Sequence, residues 1–480
     1  MMPQPIITPN SAKHFLDSLI QVDVNTHDAP SLVFDDLVKS LRTNGIEPGT
    51  PVMLAIPNSV QFAVIIFALL EIGAVPVLLP SSAPASRIYR IAQVVSARNL
   101  IASHLPPGLA QTHPAQTLAH SGQLIRLDIP RERRYQKGEV ILLTSGTSGI
   151  FSGCLFHIDD LFRNALSHAQ AVEQRAEDRI LINLPMYYSY AFVAQLLSSF
   201  ALGNTTIIAG PPFTPGNYER TIETYQITQS SITPTMVNAW LQSGSGQIPA
   251  PLRRLTIGGD ALPANSVEAV LSRSPGIELY LTYGLTQAGP RVATLAAHRA
   301  SPDKYASVGK PFPEVNVYLR KDNPGDKDGE LIVETYTGMI RRIRSMDEGI
   351  DTPRNGDRRI IHTGDRFTID EDGYLFFKQR NPTYVMSRGE KVCLKSVCEI
   401  AETIAGVSRA EAWVHNDVPE AGGVEFTLDV YCHDDSLSEG EIRRQLGKIL
   451  LRGEQPKIIA LHSASDIGWR KTARQNVATK

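Results

Sequence analysis

A loop of hydroxyls and glycines is the first feature of this chain that suggests chemistry. Thr144-Ser145-Gly146-Thr147-Ser148-Gly149 follows directly on the apolar run Val140–Leu143. The glycines let the backbone bend until successive N–H groups converge, and the hydroxyls add donors, so the loop can cradle a phosphate. It is not the GxxxxGK[ST] nucleotide loop, because no lysine follows. A polar surface turn would have the same composition, so the loop alone leaves both readings open. Three more segments carry hydroxyls, a carboxylate and cations: Thr282-Tyr283-Gly284-Leu285-Thr286-Gln287; His362-Thr363-Gly364-Asp365 with Asp372-Gly373-Tyr374 and Arg380 downstream; and Gly468-Trp469-Arg470-Lys471-Thr472-Ala473-Arg474. Taken alone, Lys471 reads as a solvated group in a basic tail.

These segments sit among repeated strands and helices. Short apolar runs at 51–56, 98–102, 179–184, 205–209, 231–233, 252–257, 278–282 and 315–320 alternate with helical patterns such as 87–95, 160–173 and 235–241. Such alternation predicts an α/β fold with mostly parallel sheets covered by helices on both faces. From Gly329 onward, GELIVET, RRIIHTG, FTIDEDG and YLFFKQR read as strand–turn–strand pieces of a small antiparallel subdomain. A last α+β portion follows, with helices at 395–404 and 438–451 and strands at 410–414, 425–431 and 457–461. It is about 100 residues long, enough for a small domain.

Composition excludes several classes. The chain has 480 residues, 42% hydrophobic and 20% charged, with 47 Lys+Arg against 49 Asp+Glu, a net charge of −2. A balance this close gives no global electrostatic reason to bind nucleic acid or an anionic membrane. The four cysteines (Cys154, Cys393, Cys398, Cys432) form neither a CxxC pair nor a disulfide framework, which points to a cytoplasmic protein. Val60–Pro80 is apolar enough to suggest a membrane span, but Glu71, Gly73 and Pro76 interrupt it. The expected reading is a buried helix through Leu70, a turn at Gly73 and a buried strand at Val75–Leu79.

In order and spacing, the four segments resemble the core motifs of the adenylate-forming superfamily, which includes acyl-CoA synthetases, firefly luciferase and the adenylation domains of non-ribosomal peptide synthetases. The resemblance extends through Leu41–Val52, Asn58-Ser59, Gly73–Pro76, Gly258-Gly259-Asp260-Ala261-Leu262-Pro263, Ser307–Pro311 and Gly329-Glu330-Leu331, nearly the whole chain. It implies a large N-terminal adenylation core, residues 1–380, with a small mobile C-terminal lid domain, 381–480. It also implies the reaction: a carboxylic acid and ATP give an acyl-adenylate and pyrophosphate, and the acyl group then usually passes to a thiol. On this resemblance Thr144 to Gly149 hold phosphates, Asp365 and Arg380 hold the ribose, and Tyr283 stacks on adenine. Gly258, Gly259, Asp260 and Gly284 complete the nucleotide site. Thr286 meets the α-phosphate, and Lys471 is the catalytic cation bridging substrate carboxylate and α-phosphate.

The departures are specific. Where relatives read T-G-x-P-K-G, the proline and lysine positions hold Phe151 and Ser152, and Gln287 replaces a glutamate that helps hold Mg²⁺. One positive and one negative group are lost together, so the expectation is compensation, with Mg²⁺ held loosely by an amide oxygen. Pro382 stands in the interdomain hinge, and Ser396 and Cys398 occupy positions where acids are usual, which bears on the thiol-transfer half of the cycle. The acid is expected to be read by Leu184–Phe192, with Tyr188 and Ser189 as substrate-binding residues. This segment has no aspartate to pair with an α-ammonium, so an α-amino acid is disfavoured and an aryl or unsaturated acid suits the tyrosines. The same tyrosines would also serve as core filling. Three functions stay open: an acid–thiol ligase using coenzyme A or the phosphopantetheine of a separate carrier protein, an ATP-dependent amide ligase, and a catalytically weakened binding protein.

Overall fold

The computed structural model describes residues 8–23, 30–118, 122–130, 132–144, 152–210, 213–243, 248–343, 349–380, 384–387, 390–414, 425–433 and 437–463. The chain divides into two compact units: residues 1–82, 91–144 and 152–381 form the first, and 83–90, 145–151 and 382–480 the second.

The first unit contains two large sheets. One has eight strands in the order Leu19–Gln21, Thr205–Ile208, Arg179–Ile182, Gln229–Ile232, Arg254–Gly258, Glu278–Gly284, Arg291–Ala296 and Lys310–Pro311. Its first six strands are parallel, Arg291–Ala296 runs antiparallel to them, and Lys310–Pro311 reverses again. The other has nine strands with a parallel centre formed by Glu139–Thr144, Val75–Leu78, Pro51–Ala55 and Asn99–Ala102. Helices Pro215–Tyr225, Pro234–Gln242 and Ala264–Arg273 share a buried core with one face of the eight-stranded sheet. A second core joins helices 9–17, 30–43, 60–72 and 158–171 to both sheets. Continuous burial along strands such as Pro51–Ala55 and Arg254–Gly258 is what two-sided helical cover requires. This is the α/β layering expected from the alternating runs.

The apolar stretch 60–80 folds as its punctuation predicts. Ser59 accepts a hydrogen bond from the Phe62 N–H to start the helix Val60–Ile72, and Gly73, at φ 77°, ends it in the left-handed region. The strand Val75–Leu78 follows. Among the described residues no helix is long and apolar enough to cross a membrane. An antiparallel sheet of Asn316–Arg320, Asp328–Thr335, Arg358–Ile369, Leu375–Arg380 and the short Arg354–Asn355 completes the first unit.

The second unit has the sheet Val407–Val414, Phe426–Cys432, Ile458–Ser463 and the helices Leu394–Glu402 and Glu439–Gly447. Val397, Ile400, Phe426, Leu428, Ile442 and Leu446 form its core. A hairpin, Tyr384–Ser387 with Glu390–Cys393, precedes them. The first turn of Leu394–Glu402 has no acidic residue, and burial pushes the Cys398 thiol up to about 12, so it stays an unreactive thiol.

Candidate active site

The motif residues collect at the C-terminal ends of the parallel strands, where an open α/β sheet leaves a crevice. Leu184 follows Arg179–Ile182, Thr233 follows Gln229–Ile232, Gly258 and Gly259 end Arg254–Gly258, and Tyr283 and Gly284 end Glu278–Gly284. The next strand, Arg291–Ala296, runs back antiparallel and closes that side. Close approach explains the glycines differently from one another. A Cβ on Gly258 would lie 2.5 Å from Thr282 Oγ1, so this glycine serves strand packing. Gly259, at φ +96°, would meet only the Thr233 methyl at 3.8 Å and leaves its side open. Asp260 is exposed, and its Oδ1 accepts from the Ala261 N–H at 2.8 Å.

Asp365 reaches this crevice from the antiparallel sheet. Its residue is fully buried, and the Tyr283 hydroxyl donates to Asp365 Oδ2 at 2.7 Å across 82 positions of sequence. The Thr363 hydroxyl accepts from the Asp365 N–H at 3.0 Å and donates to the Leu331 carbonyl at 2.7 Å, fixing the turn that carries the carboxylate. Phe367 packs edge-on to the Tyr283 ring, with centroids 4.8 Å apart. Asp365 and Arg380 are direct partners on paired strands, so the backbone sets side by side the two residues assigned to the ribose.

The acid segment is tied in by Asn58, which was quoted above only as part of a motif. Its side chain donates to the Leu184 carbonyl at 2.8 Å and accepts from the Met186 N–H at 2.7 Å. An asparagine placed between a strand end and a helix start was the available signal, because its amide can satisfy two backbone groups at once. Beyond it, Tyr190–Leu197 forms a π-helical turn, a rare irregularity that commonly accompanies functional sites. Ser189, at the entrance to this turn, shares a 2.9 Å hydrogen bond with Thr286. A residue expected to bind the acid thus meets the one expected at the α-phosphate. Tyr187 and Tyr188 lie ring against ring at 4.4 Å. The Tyr190 hydroxyl reaches Thr256 Oγ1 at 3.1 Å and Thr282 Oγ1 at 3.4 Å.

At the phosphate loop, Thr144 and Ser152 are paired across adjacent strands, with hydroxyls 3.0 Å apart. Ser152, read above at a lysine position, is 2% exposed and turned inward. Ser145, Gly146, Thr147, Ser148, Gly149, Phe151, Pro382 and Lys471 lie outside the described residues, as does the Arg380 side chain. Gln287 is half-buried, and its backbone carbonyl accepts from the Met339 N–H at 2.8 Å. Among the described residues no three His, Cys, Asp or Glu side chains gather to hold a metal. That donor set would fit Mg²⁺ only as an ion carried largely by nucleotide phosphates, the Gln287 amide oxygen being the one neutral ligand expected from the sequence.

Parallel-strand ends thus face a buried tyrosine–carboxylate pair and a serine–threonine contact. Residues 34–341 match the AMP-binding enzyme family, and the chain belongs to it. A 2-succinylbenzoate–CoA ligase of Bacillus thuringiensis subsp. konkukian is 26% identical over 391 residues, 80% of this chain and 77% of its own. The like-named protein of Bacillus mycoides is 26% identical over 422 residues, 86% of this chain and 84% of its own. Among solved structures, o-succinylbenzoate CoA synthetase from Bacillus subtilis, a double mutant with a product analogue, superposes with a TM-score of 0.80 at 20% identity. That match covers 95% of this chain and 94% of the other. The amide bond synthetase McbA from Marinactinospora thermotolerans superposes at 0.75 with 20% identity, covering 94% and 95%. These likenesses establish the fold: a large N-terminal α/β domain and a smaller C-terminal one.

Proposed function

We propose that this AMP-forming acid ligase activates an aryl carboxylic acid and passes it to coenzyme A. Activation by ATP follows from membership of the family, and the acid class and acceptor rest on the relatives named as 2-succinylbenzoate–CoA ligases. One observation in the fold supports the reading: Ser189, expected to bind the acid, contacts Thr286, expected at the α-phosphate, at 2.9 Å.

In the first step a carboxylate oxygen of the acid attacks the α-phosphorus of ATP, and the bond to pyrophosphate breaks. The site's task is to hold the two anions within reach of each other. Asp365, kept in place by Tyr283 and Thr363, accepts from the ribose hydroxyls, Arg380 supports the same sugar, and adenine lies beside Tyr283 and the open face of Gly259. Thr286 donates to the α-phosphate, Ser189 and Tyr188 orient the acid, and Thr144 with Ser145–Gly149 holds the outgoing phosphates. Lys471 supplies the cation where negative charge gathers. Mg²⁺, when present, neutralises phosphate charge. In the second step the thiol sulfur attacks the acyl carbon and AMP leaves. We place the protein in the cytoplasm, a reading supported by Cys154, Cys393, Cys398 and Cys432, none of which is in a disulfide.

The test is pyrophosphate exchange with a panel of aryl, aliphatic and amino acids, followed by coenzyme A, a phosphopantetheinyl carrier or an amine as acceptor. Aryl-acid-dependent exchange, thioester formation with coenzyme A and loss of exchange in Lys471→Ala are expected. No exchange with any acid, or full exchange in Lys471→Ala, refutes the reading. Amide formation without thioester would move it to the amide ligases.

A further inference from the structure

Arg291 is absent from the machinery described so far, yet its backbone and its side chain reach the two segments that have to meet. Its backbone continues the turn that carries Thr286. The Leu285 N–H donates to the Pro290 carbonyl at 2.9 Å and the Gly289 N–H to the Thr286 carbonyl at 3.1 Å. Arg291 then opens the strand that closes the crevice, directly across from Gly284. Asn164, buried in the helix Ile158–Ala171, clamps this junction: its amide accepts from the Arg291 N–H and donates to the Arg291 carbonyl, both at 2.9 Å. The guanidinium lies over the ring of Tyr190, 4.3 Å from its centroid, and the far end of that ring is held by Thr256 and Thr282. Tyr190 opens the π-helical turn, and Ser189 stands at its N-cap. A serine there ordinarily turns its hydroxyl back onto its own helix. This one makes no such bond and meets Thr286 instead, so its place depends on how the next residue, Tyr190, is held.

Arg291 is 3% exposed, and its Nε and Nη2 have no hydrogen-bond partner among the described residues. Burial holds its pKa below the ordinary arginine range, and the groups that favour its charge are the phenols of Tyr190 and Tyr283 rather than a carboxylate. The neighbouring buried imidazole, His168, leaves both ring nitrogens unpartnered. Burial and then the charge of Arg291 push it down to about 3, so it stays neutral and supplies no counter-charge. An unpaired charge in a low-dielectric interior is costly, and an apolar side chain of the same length would fill the space more stably. What a guanidinium adds over filling is attraction to an aromatic face, which strengthens where water is excluded.

We propose that Arg291 is a positioning residue for acid activation: it holds the Tyr190 ring against the strand that continues from the Thr286 turn, and so keeps the Ser189 and Thr286 hydroxyls in register. This rests on the acid-ligase reading above and adds to it a residue that acts through Tyr190. The stability given up by burying the charge is spent on the alignment of two segments about a hundred positions apart in sequence. Small misplacements of aligned groups are expensive in rate, which makes that alignment worth holding.

The test is pyrophosphate exchange, with the best acid of the panel above, in Arg291→Met, Arg291→Lys, Ser189→Ala and the double variant Ser189→Ala with Arg291→Met. Arg291→Met should lower kcat/KM for the acid about tenfold, the scale of a desolvated cation–π contact, with KM for ATP unchanged. Arg291→Lys should recover part of the loss, because an ammonium also attracts the ring face. In the Ser189→Ala background Arg291→Met should cost less than about twofold more, since the hydroxyl it positions is gone. The melting temperature of Arg291→Met should stay level or rise as the unpaired charge is removed, and ATP binding by each variant shows that it is folded. Wild-type kinetics in Arg291→Met, or a tenfold loss that persists without the Ser189 hydroxyl, overturns the positioning role and leaves the ligase reading standing. A lowered melting temperature with acid and ATP affected alike overturns it too, as the mark of a purely structural arginine. Absence of exchange by the wild type with the whole panel overturns the ligase reading and this inference together.

Discussion

Replacing His168 with leucine, a side chain of similar volume that cannot titrate, is expected to change how stability depends on pH. His168 is fully buried in the helix Ile158–Ala171, and its pKa falls from 6.5 to about 3, through burial first and the charge of Arg291 second. The unfolded chain therefore takes up a proton near pH 6.5 that the folded chain refuses until about pH 3. Above pH 6.5 both states are neutral and the site adds no pH dependence. As pH falls below 6.5 the unfolded state binds the extra proton and stability drops, by about 1.4 kcal/mol per unit. Carried to pH 5 this is roughly 2 kcal/mol, and carried to pH 3 roughly 4 kcal/mol. Urea unfolding at pH 7.5 and pH 5.0, for wild type and His168→Leu, isolates the effect, because the other histidines and the carboxylates cancel in the difference. The variant should gain about 2 kcal/mol on the wild type between the two pH values. A difference that stays constant within about 0.5 kcal/mol would show that the imidazole is protonated or solvated in the fold, against the burial beside Arg291.

Two further perturbations probe the nucleotide side. Tyr283→Phe deletes the 2.7 Å donor to the buried Asp365 and should weaken ATP binding roughly tenfold, the scale of one hydrogen bond to a charged acceptor. Asp365→Ala should weaken it further, and calorimetric titration with ATP that gave wild-type affinity in Asp365→Ala would displace this carboxylate from the ribose. Gln287→Glu alone adds a negative charge with no matching cation and should lower exchange about tenfold, whereas Ser152→Lys with Gln287→Glu should restore it. A sharp rise at low Mg²⁺ in Gln287→Glu, with no effect of Ser152→Lys, would refute the compensation argument.

The fold was legible where periodicity and punctuation agree. The stretch 60–80 shows this: a serine cap, an all-apolar helix, a left-handed glycine and a β-branched strand each state their conformation locally. The strands Leu19–Gln21, Gln116–Leu118 and Gly122–Arg126 were not expected. All are short: Leu19–Gln21 pairs with Thr205–Ile208, far away in sequence, and the other two form a hairpin against Asn99–Ala102, so their order comes from the sheet and not from their own residues. The π-turn at Tyr190–Leu197 is equally silent, because an apolar run fits any helix and the extra residue per turn is chosen by packing.

The candidate site divides in the same way. Glycines, hydroxyls and a carboxylate in fixed order can be read in sequence, since chemistry demands those types at that spacing. What cannot be read is which side chain has no partner. Arg291 sits between a proline and a valine with nothing in its neighbours to mark it, and arginines are ordinarily surface groups. Its meaning arises only when Asn164, 127 positions away, clamps its backbone and Tyr190, about a hundred positions away, takes its face. Motif matching compares residues with what relatives carry and so finds shared chemistry such as the adenylation step. A positioning residue is instead defined by what the fold places against it. Sequence comparison at 26% identity cannot supply that, whereas the hydrogen-bond inventory of a buried wall can. The tyrosines of Leu184–Phe192 look the same in sequence as core or as binding surface, and only the fold separates Tyr190, which is buried, from Tyr187 and Tyr188, which are half-buried.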